Sequence, residues 1–181
     1  MFKDNSGYTP KDLQFDDAGR LRLIEGVKKM SHAVKSTLGP SGQTVLIESP
    51  NHTHGITVTK DGVTVAKAVD LIDPVENLAV RMMKEASDRT ASEAGDGTTT
   101  AIVLTESLVR SGYDILDGGD LNKTGILRHL VTLTQGVIGY LTKLSEPLTD
   151  KRLLDVATIS SNNDTTVGAI IAQVYKKVGK D

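Results

Sequence analysis

A glycine-rich stretch, GDGTTTA at residues 95–101, runs directly into an apolar segment with helical spacing. The glycines let the backbone approach a ligand closely, and the helix that follows presents unpaired N–H groups and the positive end of its dipole. Three threonine hydroxyls can donate to phosphate oxygens, whereas Asp96 would repel a bare phosphate and suits a bridging cation. The stretch therefore predicts a site for a nucleotide with Mg²⁺. The simpler alternative is a loop in which Asp96 or Thr98 caps the helix.

The composition limits the class of protein. Of the 181 residues, 38% are hydrophobic, so the chain can bury a sizeable core. The net charge of -2 disfavours nucleic acid as a partner, and the absence of cysteine excludes disulfides and thiolate chemistry. The sequence shows neither an apolar run of membrane-spanning length nor a signal peptide. We therefore expect a cytoplasmic protein without a membrane partner.

The spacing of apolar residues predicts a mainly α fold with one small β-hairpin. Apolar positions recur every three or four residues from Leu21 to Leu38, and similar patterns begin near residues 74, 98, 126 and 165. The β-branched runs at residues 44–47 and 56–59 predict the hairpin, and residues 12–15 alternate like a short edge strand. Residues 1–10 are polar and predict a mobile leader.

Several further features have structural interpretations when each is taken alone. TLGPSG at residues 37–42 predicts a helix stop and a turn, and KDG at residues 60–62 predicts an ordinary turn. Gly136 and Gly139 interrupt a long apolar helix, which usually indicates close packing against another helix. His52 and His54 could share one face of an extended segment, but no third metal ligand lies nearby in the sequence, so exposed loop histidines are the better interpretation.

Four segments, taken together and in order, resemble the N-terminal part of group I chaperonins, the GroEL type. They are TLGPSG at residues 37–42, TKDGVTVA at residues 59–66, GDGTTTA at residues 95–101 and TISSNND at residues 158–164. The similarity covers about residues 11–180, and a chance match of all four in sequence is far less frequent than a match of any one. Lys60 favours the bacterial type, because archaeal and eukaryotic chaperonins generally have Asn before that Asp-Gly.

The resemblance implies an ATP-binding site and assigns roles to individual residues. Asp61 would lie near the γ-phosphate and support hydrolysis. Asp96 would hold Mg²⁺, and the backbone of Thr37 and Lys60 would hold K⁺. The residues implied to line the nucleotide are Thr37, Leu38, Gly39, Pro40, Lys60, Asp96, Gly97, Thr98, Thr99, Thr100, Ile159 and Ser160.

The resemblance also implies a domain organisation and partners. Residues 11–144 would form the N-terminal half of the equatorial ATP-binding domain, a helical bundle, and residues 145–181 would begin the intermediate domain. The implied partners are other chaperonin subunits in a ring, a double heptamer when complete, together with a co-chaperonin lid and unfolded protein substrates.

The sequence departs from the family pattern in two ways. Ser41 stands where the family commonly carries Lys or Arg. A family subunit is also much longer, so we expect the substrate-binding apical domain, the C-terminal equatorial helices and the main catalytic Asp to be missing and the 181-residue chain alone to be inactive. The alternative is a naturally short, catalytically inactive chaperonin-like protein that interacts with a full-length ring.

Overall fold

The computed structural model describes residues 11–39, 41–48, 55–117 and 121–179, and within them it is mostly helical with one two-stranded sheet. The chain consists of two compact units, Met1–Asp120 and Leu121–Asp181. The elements in chain order are α1 (Asp17–Lys35), β1 (Val45–Glu48), β2 (Ile56–Thr59), α2 (Gly62–Ala68), α3 (Pro74–Ala94), α4 (Thr98–Asp117), α5 (Lys123–Leu144), α6 (Asp150–Ser160) and α7 (Thr165–Val178). The predicted mainly α fold with a small hairpin is confirmed.

Polar residues begin most of these helices, as the sequence suggests. The side chain of Asp73 accepts hydrogen bonds from the amides of Val75 and Glu76, and Pro74 occupies the first turn of α3. Such capping satisfies N–H groups that have no partner within the helix. Asp73 also receives the guanidinium of Arg22 from α1, and this hydrogen bond lowers the pKa of the Asp73 carboxyl below its ordinary value. The cap of α3 is therefore also a link to α1.

The first unit is organised around an aliphatic core to which four helices contribute. Fully or almost fully buried side chains come from α1, α2, α3 and α4. The cluster consists of Val27, Met30, Val34, Val65, Ala66, Ala79, Val80, Met83 and Ile102. With few aromatic residues in the chain, branched aliphatic side chains and methionine fill this space.

The close approach of α1 to α3 depends on Gly26. A Cβ built on Gly26 would lie 2.2 Å from the carbonyl oxygen of Glu76, which belongs to the backbone of α3. Any side chain there would force the two helices apart, because backbone atoms cannot rotate away as a flexible side chain can. Gly26 therefore sets the spacing of these two helices.

The hairpin pairs β1 with β2 in antiparallel register, with Val45 opposite Thr59 and Glu48 opposite Ile56. Val45 and Ile47 pack against the core of the first unit, while alternate positions such as Leu46 are exposed. This alternation is what a two-faced strand requires. The predicted turn between the strands, including His52 and His54, lies outside the described residues, as does the predicted leader at residues 1–10.

The structure corrects several sequence predictions. Residues 12–15 form no strand, and Phe15 is exposed. The turn predicted at residues 60–62 instead begins a helix, α2, which the sequence analysis missed because three β-branched residues lower its helix propensity. Burial of Val65 and Ala66 in the core compensates for that propensity. The helix predicted from near residue 98 is present as α4 and continues through Gly112 to Asp117.

The second unit contains α5 and a hairpin of α6 and α7. Gly168 permits the close approach of α7 to α6, since a Cβ there would lie 2.4 Å from Thr158 Oγ1 and 2.7 Å from Thr158 Cα. The helices are joined through Asn162 and Asn163, which both adopt positive φ angles. Asn tolerates this left-handed conformation better than most residues. The helix predicted from near residue 165 is confirmed as α7, with Asp164 as its N-cap and Gly179 at its C-terminal end.

Helix α5 is exposed along most of its length, and none of its residues is buried. Gly136 and Gly139 were expected at a close helix contact, yet outside the neighbouring backbone of α5 no described atom lies within 4 Å of a Cβ built on either glycine. Among the described residues that expectation is wrong. Among the described residues, no helix combines the length and hydropathy needed to cross a membrane. The division into an equatorial part ending at residue 144 and an intermediate part beginning at residue 145 stays a prediction.

We expect Gly26→Ala to destabilise the first unit by about 1–3 kcal/mol, because the added methyl group overlaps the Glu76 carbonyl. The measurement is the free energy of unfolding in urea. Gly112→Ala is the matched control, since Gly112 is also inside a helix of the first unit and a Cβ there meets no described atom within 4 Å. The control should raise stability by roughly 0.5–1 kcal/mol through helix propensity. Equal effects of the two substitutions would contradict the packing role of Gly26.

Candidate functional site

Three of the segments singled out in the sequence meet at Gly62, the first residue of α2. Gly62 is buried, and a Cβ built on it would lie 1.9 Å from Thr99 Oγ1 and 3.1 Å from Thr37 Oγ1. Thr37 follows the end of α1, and Thr99 lies in the first turn of α4. The loop after α1, the start of α2 and the start of α4 are therefore adjacent in space, although Thr37 and Thr99 are 62 positions apart in the sequence.

The loop after α1 is held by hydrogen bonds across its base. The amide of Gln43 donates to the carbonyl of Ser36 at 2.7 Å, and the amide of Gly42 donates to the carbonyl of Gly39 at 2.9 Å. Gly39 has a φ angle of 77°, a conformation that glycine adopts without strain. Thr37 Oγ1 donates to the carbonyl of Val34 at 2.8 Å, which fixes this side chain on the last turn of α1. The loop is thus a defined helix end, as predicted.

Gly42 allows the loop to close tightly. A Cβ built on Gly42 would lie 2.3 Å from the carbonyl oxygen of Thr37. Leu38 is about half exposed, and Pro40 lies outside the described residues. The predicted role of the Thr37 and Lys60 carbonyls as ligands of K⁺ stays a prediction.

Asp61 caps α2, and its carboxylate is held by donors from the first turn of that helix. It accepts hydrogen bonds from Thr64 Oγ1 at 2.6 Å, from the amide of Thr64 at 2.9 Å and from the amide of Val63 at 3.3 Å. Burial acts to raise the pKa of Asp61, but these hydrogen bonds outweigh it and hold the pKa below the ordinary value. Asp61 is therefore a fixed, ionised carboxylate at neutral pH, and Lys60 precedes it as an exposed residue.

The glycines of residues 95–97 shape the turn between α3 and α4. Gly95 has a φ angle of 72° and ends α3 in the left-handed conformation, and Gly97 has a φ angle of 85°. The carboxylate of Asp96 accepts a hydrogen bond from the amide of Gly97 at 2.6 Å and remains exposed. The exposed Asp96 carboxylate is therefore accessible to a cation, and the positive end of α4 stabilises its negative charge.

The three threonines differ in their surroundings. Thr98 is only 7% exposed, Thr99 is half-buried against Gly62, and Thr100 is exposed. Ile102, one turn further along α4, is buried in the core and anchors this helix. The first turn of α4 therefore presents its N–H groups and hydroxyls from a rigid support.

The carboxylates of the described residues limit which metal could bind. No group of three or more His, Cys, Asp or Glu side chains is placed to form a metal cage among the residues that the structure describes. Asp96 alone would leave most coordination positions of a cation to other ligands. Mg²⁺ is commonly bound in this way, by one or two carboxylates together with water and the phosphates of a substrate. The donor set thus fits a cation that arrives with a nucleotide.

The structure brings Thr37 and Thr99 together at Gly62, and it places two of the predicted site residues in the other unit. Residues 37–39, 60–61 and 96–100 all belong to the first unit, whereas Ile159 and Ser160 lie in the last turn of α6 in the second unit. Two residues missed by the sequence analysis are Gly62, which lets Thr99 approach α2, and Thr64, which orients Asp61. Thr64 is the third residue after Asp61, the spacing of a helix cap and the residue that donates to it. This spacing could have predicted the contact between Thr64 and Asp61.

Comparison with protein families places most of the chain in one group. A model of the TCP-1/cpn60 chaperonin family matches residues 30–181.

Solved structures give a concordant result. The chaperonin gp146 from the bacteriophage EL 2 (Pseudomonas aeruginosa), crystallised in the presence of ATP-BeFx, is 30% identical over 90% of this chain, with a TM-score of 0.77. A second crystal form of that protein gives 31% identity over 88% of this chain and a TM-score of 0.76. A group III chaperonin in the open state is 28% identical over 89% of this chain, with a TM-score of 0.72. The matched regions are 28%, 28% and 32% of those chains, respectively.

We expect Gly62→Ala to destabilise the first unit by about 1–3 kcal/mol, because its Cβ would overlap Thr99 Oγ1. In a Thr99→Ala background the overlapping oxygen is gone, so the same substitution should cost less. A double-mutant cycle on the free energy of unfolding should give a coupling of about 1 kcal/mol between these positions. Strict additivity would show that α2 and α4 do not meet at Gly62.

Proposed function

The chain belongs to the TCP-1/cpn60 chaperonin family, and we propose that it supplies the ATP-binding part of a chaperonin subunit that uses ATP hydrolysis to drive the folding of other proteins. One observation carries the proposal. The end of α1, the cap of α2 and the first turn of α4 converge at Gly62, and each of these segments contains residues that the sequence assigned to the nucleotide.

The first turn of α4 is the proposed phosphate site. Its N–H groups and the hydroxyls of Thr99 and Thr100 are donors of the kind that phosphate oxygens accept, and the helix dipole favours an anion at this end. A neighbour in structure, the bacteriophage chaperonin, was crystallised with ATP-BeFx, which supports a nucleotide as the ligand. Asp96 would hold Mg²⁺, which bridges to the phosphates and offsets their charge when bound.

Asp61 is the proposed residue of the hydrolytic reaction within this chain. Its carboxylate is ionised and fixed by Thr64, and it adjoins Gly62, around which the other site segments are arranged. A carboxylate in such a position can orient a water molecule for attack on the terminal phosphate. Because the chain spans about 30% of the length of the solved chaperonins, further residues of the reaction would come from elsewhere in a complete subunit.

The proposed partners follow from the family and from the exposed surfaces. Chaperonin subunits act in assemblies, so we propose association with other chaperonin subunits in a ring, in the cytoplasm of a cell or of a virus host. Several apolar side chains of α5, including Leu133, Val137 and Leu141, are more than half exposed in this chain. A short, inactive chaperonin-like protein that joins a full-length ring is the second candidate, and the length of the reading frame that encodes the chain distinguishes the two.

We expect Asp96→Ala to lower Mg²⁺-dependent ATP turnover about 100-fold, because the cation loses its carboxylate ligand. The measurement is steady-state phosphate release by the protein produced from the whole reading frame that contains this chain. Glu93→Ala is the matched control, since it removes an exposed carboxylate three residues away, in the last turn of α3. An Asp96→Ala variant as active as the Glu93→Ala variant would refute the proposed metal ligand.

Asp61→Asn separates the catalytic role of Asp61 from its role as a cap. Asn caps helices about as well as Asp, so the free energy of unfolding should change little. ATP turnover should fall about 10-fold or more, and the affinity for ATP should change little. Asp61→Ala should lose turnover and also about 1 kcal/mol of stability.

The control for this comparison is Asp16→Asn at the cap of α1, which makes the same change in charge in the same unit. Equal losses of affinity and turnover in Asp61→Asn would mark Asp61 as a residue of nucleotide binding instead.

A further inference from the structure

Glu106 is a buried carboxylate in the interior of α4. Its side chain is 7% exposed, and among the residues that the structure describes Glu106 is the one charged residue that is buried. A buried charge is unfavourable unless it is paired, because removal from water costs several kcal/mol. The role of this carboxylate therefore depends on the cations with which it is paired.

Two cations share the carboxylate of Glu106, one oxygen each. Arg110, one turn later in α4, donates to Oε1 at 3.0 Å, and Lys35 in α1 donates to Oε2. The hydrogen bond from Lys35, followed by that from Arg110, lowers the pKa of Glu106 against the opposing effect of burial. Arg110 belongs to the same helix as Glu106, so the pair with Lys35 is the contact that joins two elements.

The pair connects the two segments that form the proposed site. Lys35 is the last residue of α1, and two residues after it Thr37 contacts the site at Gly62. On α4, Thr98, Ile102 and Glu106 form one buried stripe, so Glu106 lies about 12 Å along the helix from the phosphate end. A shift of α4 along its axis would move the buried carboxylate and the first turn together.

A comparable ion pair lies elsewhere on α1. Lys29 donates to both oxygens of Glu76 of α3 at 2.9 and 2.7 Å, and the Glu76 side chain is 13% exposed. Both pairs join a half-exposed lysine of α1 to a mostly buried glutamate of a neighbouring helix. They differ in location, because the Lys29 pair joins α1 to α3 and not to α4. This second pair is a built-in control for a purely structural effect.

We propose that Lys35 and Glu106 are positioning residues that hold the loop after α1 in register with the first turn of α4 for nucleotide binding, an inference that rests on the proposed function. The pair touches no substrate. Its geometric requirement is strict, because without Lys35 the buried carboxylate keeps only Arg110 of its own helix, and no charged partner then joins it to α1. A displacement of about 1 Å between Thr37 and Thr99 would spoil a site that uses both segments.

The test measures ATP affinity by calorimetry, with Mg²⁺, in the protein produced from the whole reading frame that contains this chain. We expect Lys35→Met to raise the Kd for ATP about tenfold, and Lys35→Arg to return the Kd close to that of the parent, because the charge and hydrogen bond are retained. Lys29→Met should lower the melting temperature to a similar extent without changing the Kd.

A second set of variants guards against a variant that fails to fold. The double variant Lys35→Met/Glu106→Leu replaces the ion pair with apolar side chains, an exchange that often preserves or raises stability. It should still bind ATP about tenfold more weakly than the parent, because the register-setting contact is gone.

Three outcomes distinguish the claims. Parent-like affinity in both Lys35→Met and the double variant would overturn the positioning role and leave the proposed function intact. An equal loss of affinity in Lys29→Met would also overturn it, since the effect would then follow stability alone. If the parent protein itself binds no ATP in the presence of Mg²⁺, the proposed function fails, whatever the Lys35 variants show.

Discussion

The first unit depends on the packing of α1, α2, α3 and α4 around one aliphatic core, in which Val34, Val65 and Ile102 are almost fully buried. Each of these three side chains lies within one turn of a segment that reaches the site at Gly62. Burial of one such side chain is worth about 1.5–3 kcal/mol, so the core is strong enough to hold the short helix α2 in place. The glycines at the closest approaches then determine how near the backbones come, because a methyl group at Gly26 or Gly62 would overlap a neighbour.

The features that stabilise the helices are also the ones on which the proposed nucleotide site depends. Asp61 caps α2 and is thereby kept ionised, and the turn at Gly95 and Gly97 both ends α3 and exposes the first turn of α4. Neither feature needs a ligand for its structural role, which is why each of these motifs is ambiguous when it is considered alone. The convergence of these segments at Gly62 is harder to explain by helix capping alone. A cap needs only residues close to it in the sequence, whereas Thr37 and Thr99 are 62 positions apart. The family match agrees with the functional interpretation, as does the similarity to a bacteriophage chaperonin crystallised in the presence of ATP-BeFx.

The second unit combines a tightly packed helical hairpin with one helix that is mostly exposed. The hairpin of α6 and α7 is held by close packing at Gly168, whereas α5 exposes apolar side chains along its length. A helix with this composition is expected to be covered in a longer chain or in an assembly, since large apolar patches on a free surface favour association. This agrees with a chain that spans about 30% of the solved chaperonins it matches.

The sequence by itself determined the local features, because these depend on residues that are close along the chain. The caps at Asp73 and Asp164, the helix end at Thr37 and the glycine turn before Thr98 follow from spacing and side-chain chemistry. Only the tertiary structure shows that residues 62–68 form a helix and that Lys35 contacts Glu106. It also shows that Gly26 lies at a helix contact, whereas no neighbouring helix among the described residues lies against Gly136. Those outcomes depend on which distant segments pack together, and the local pattern of a glycine or a charge is the same whether or not a neighbour lies against it.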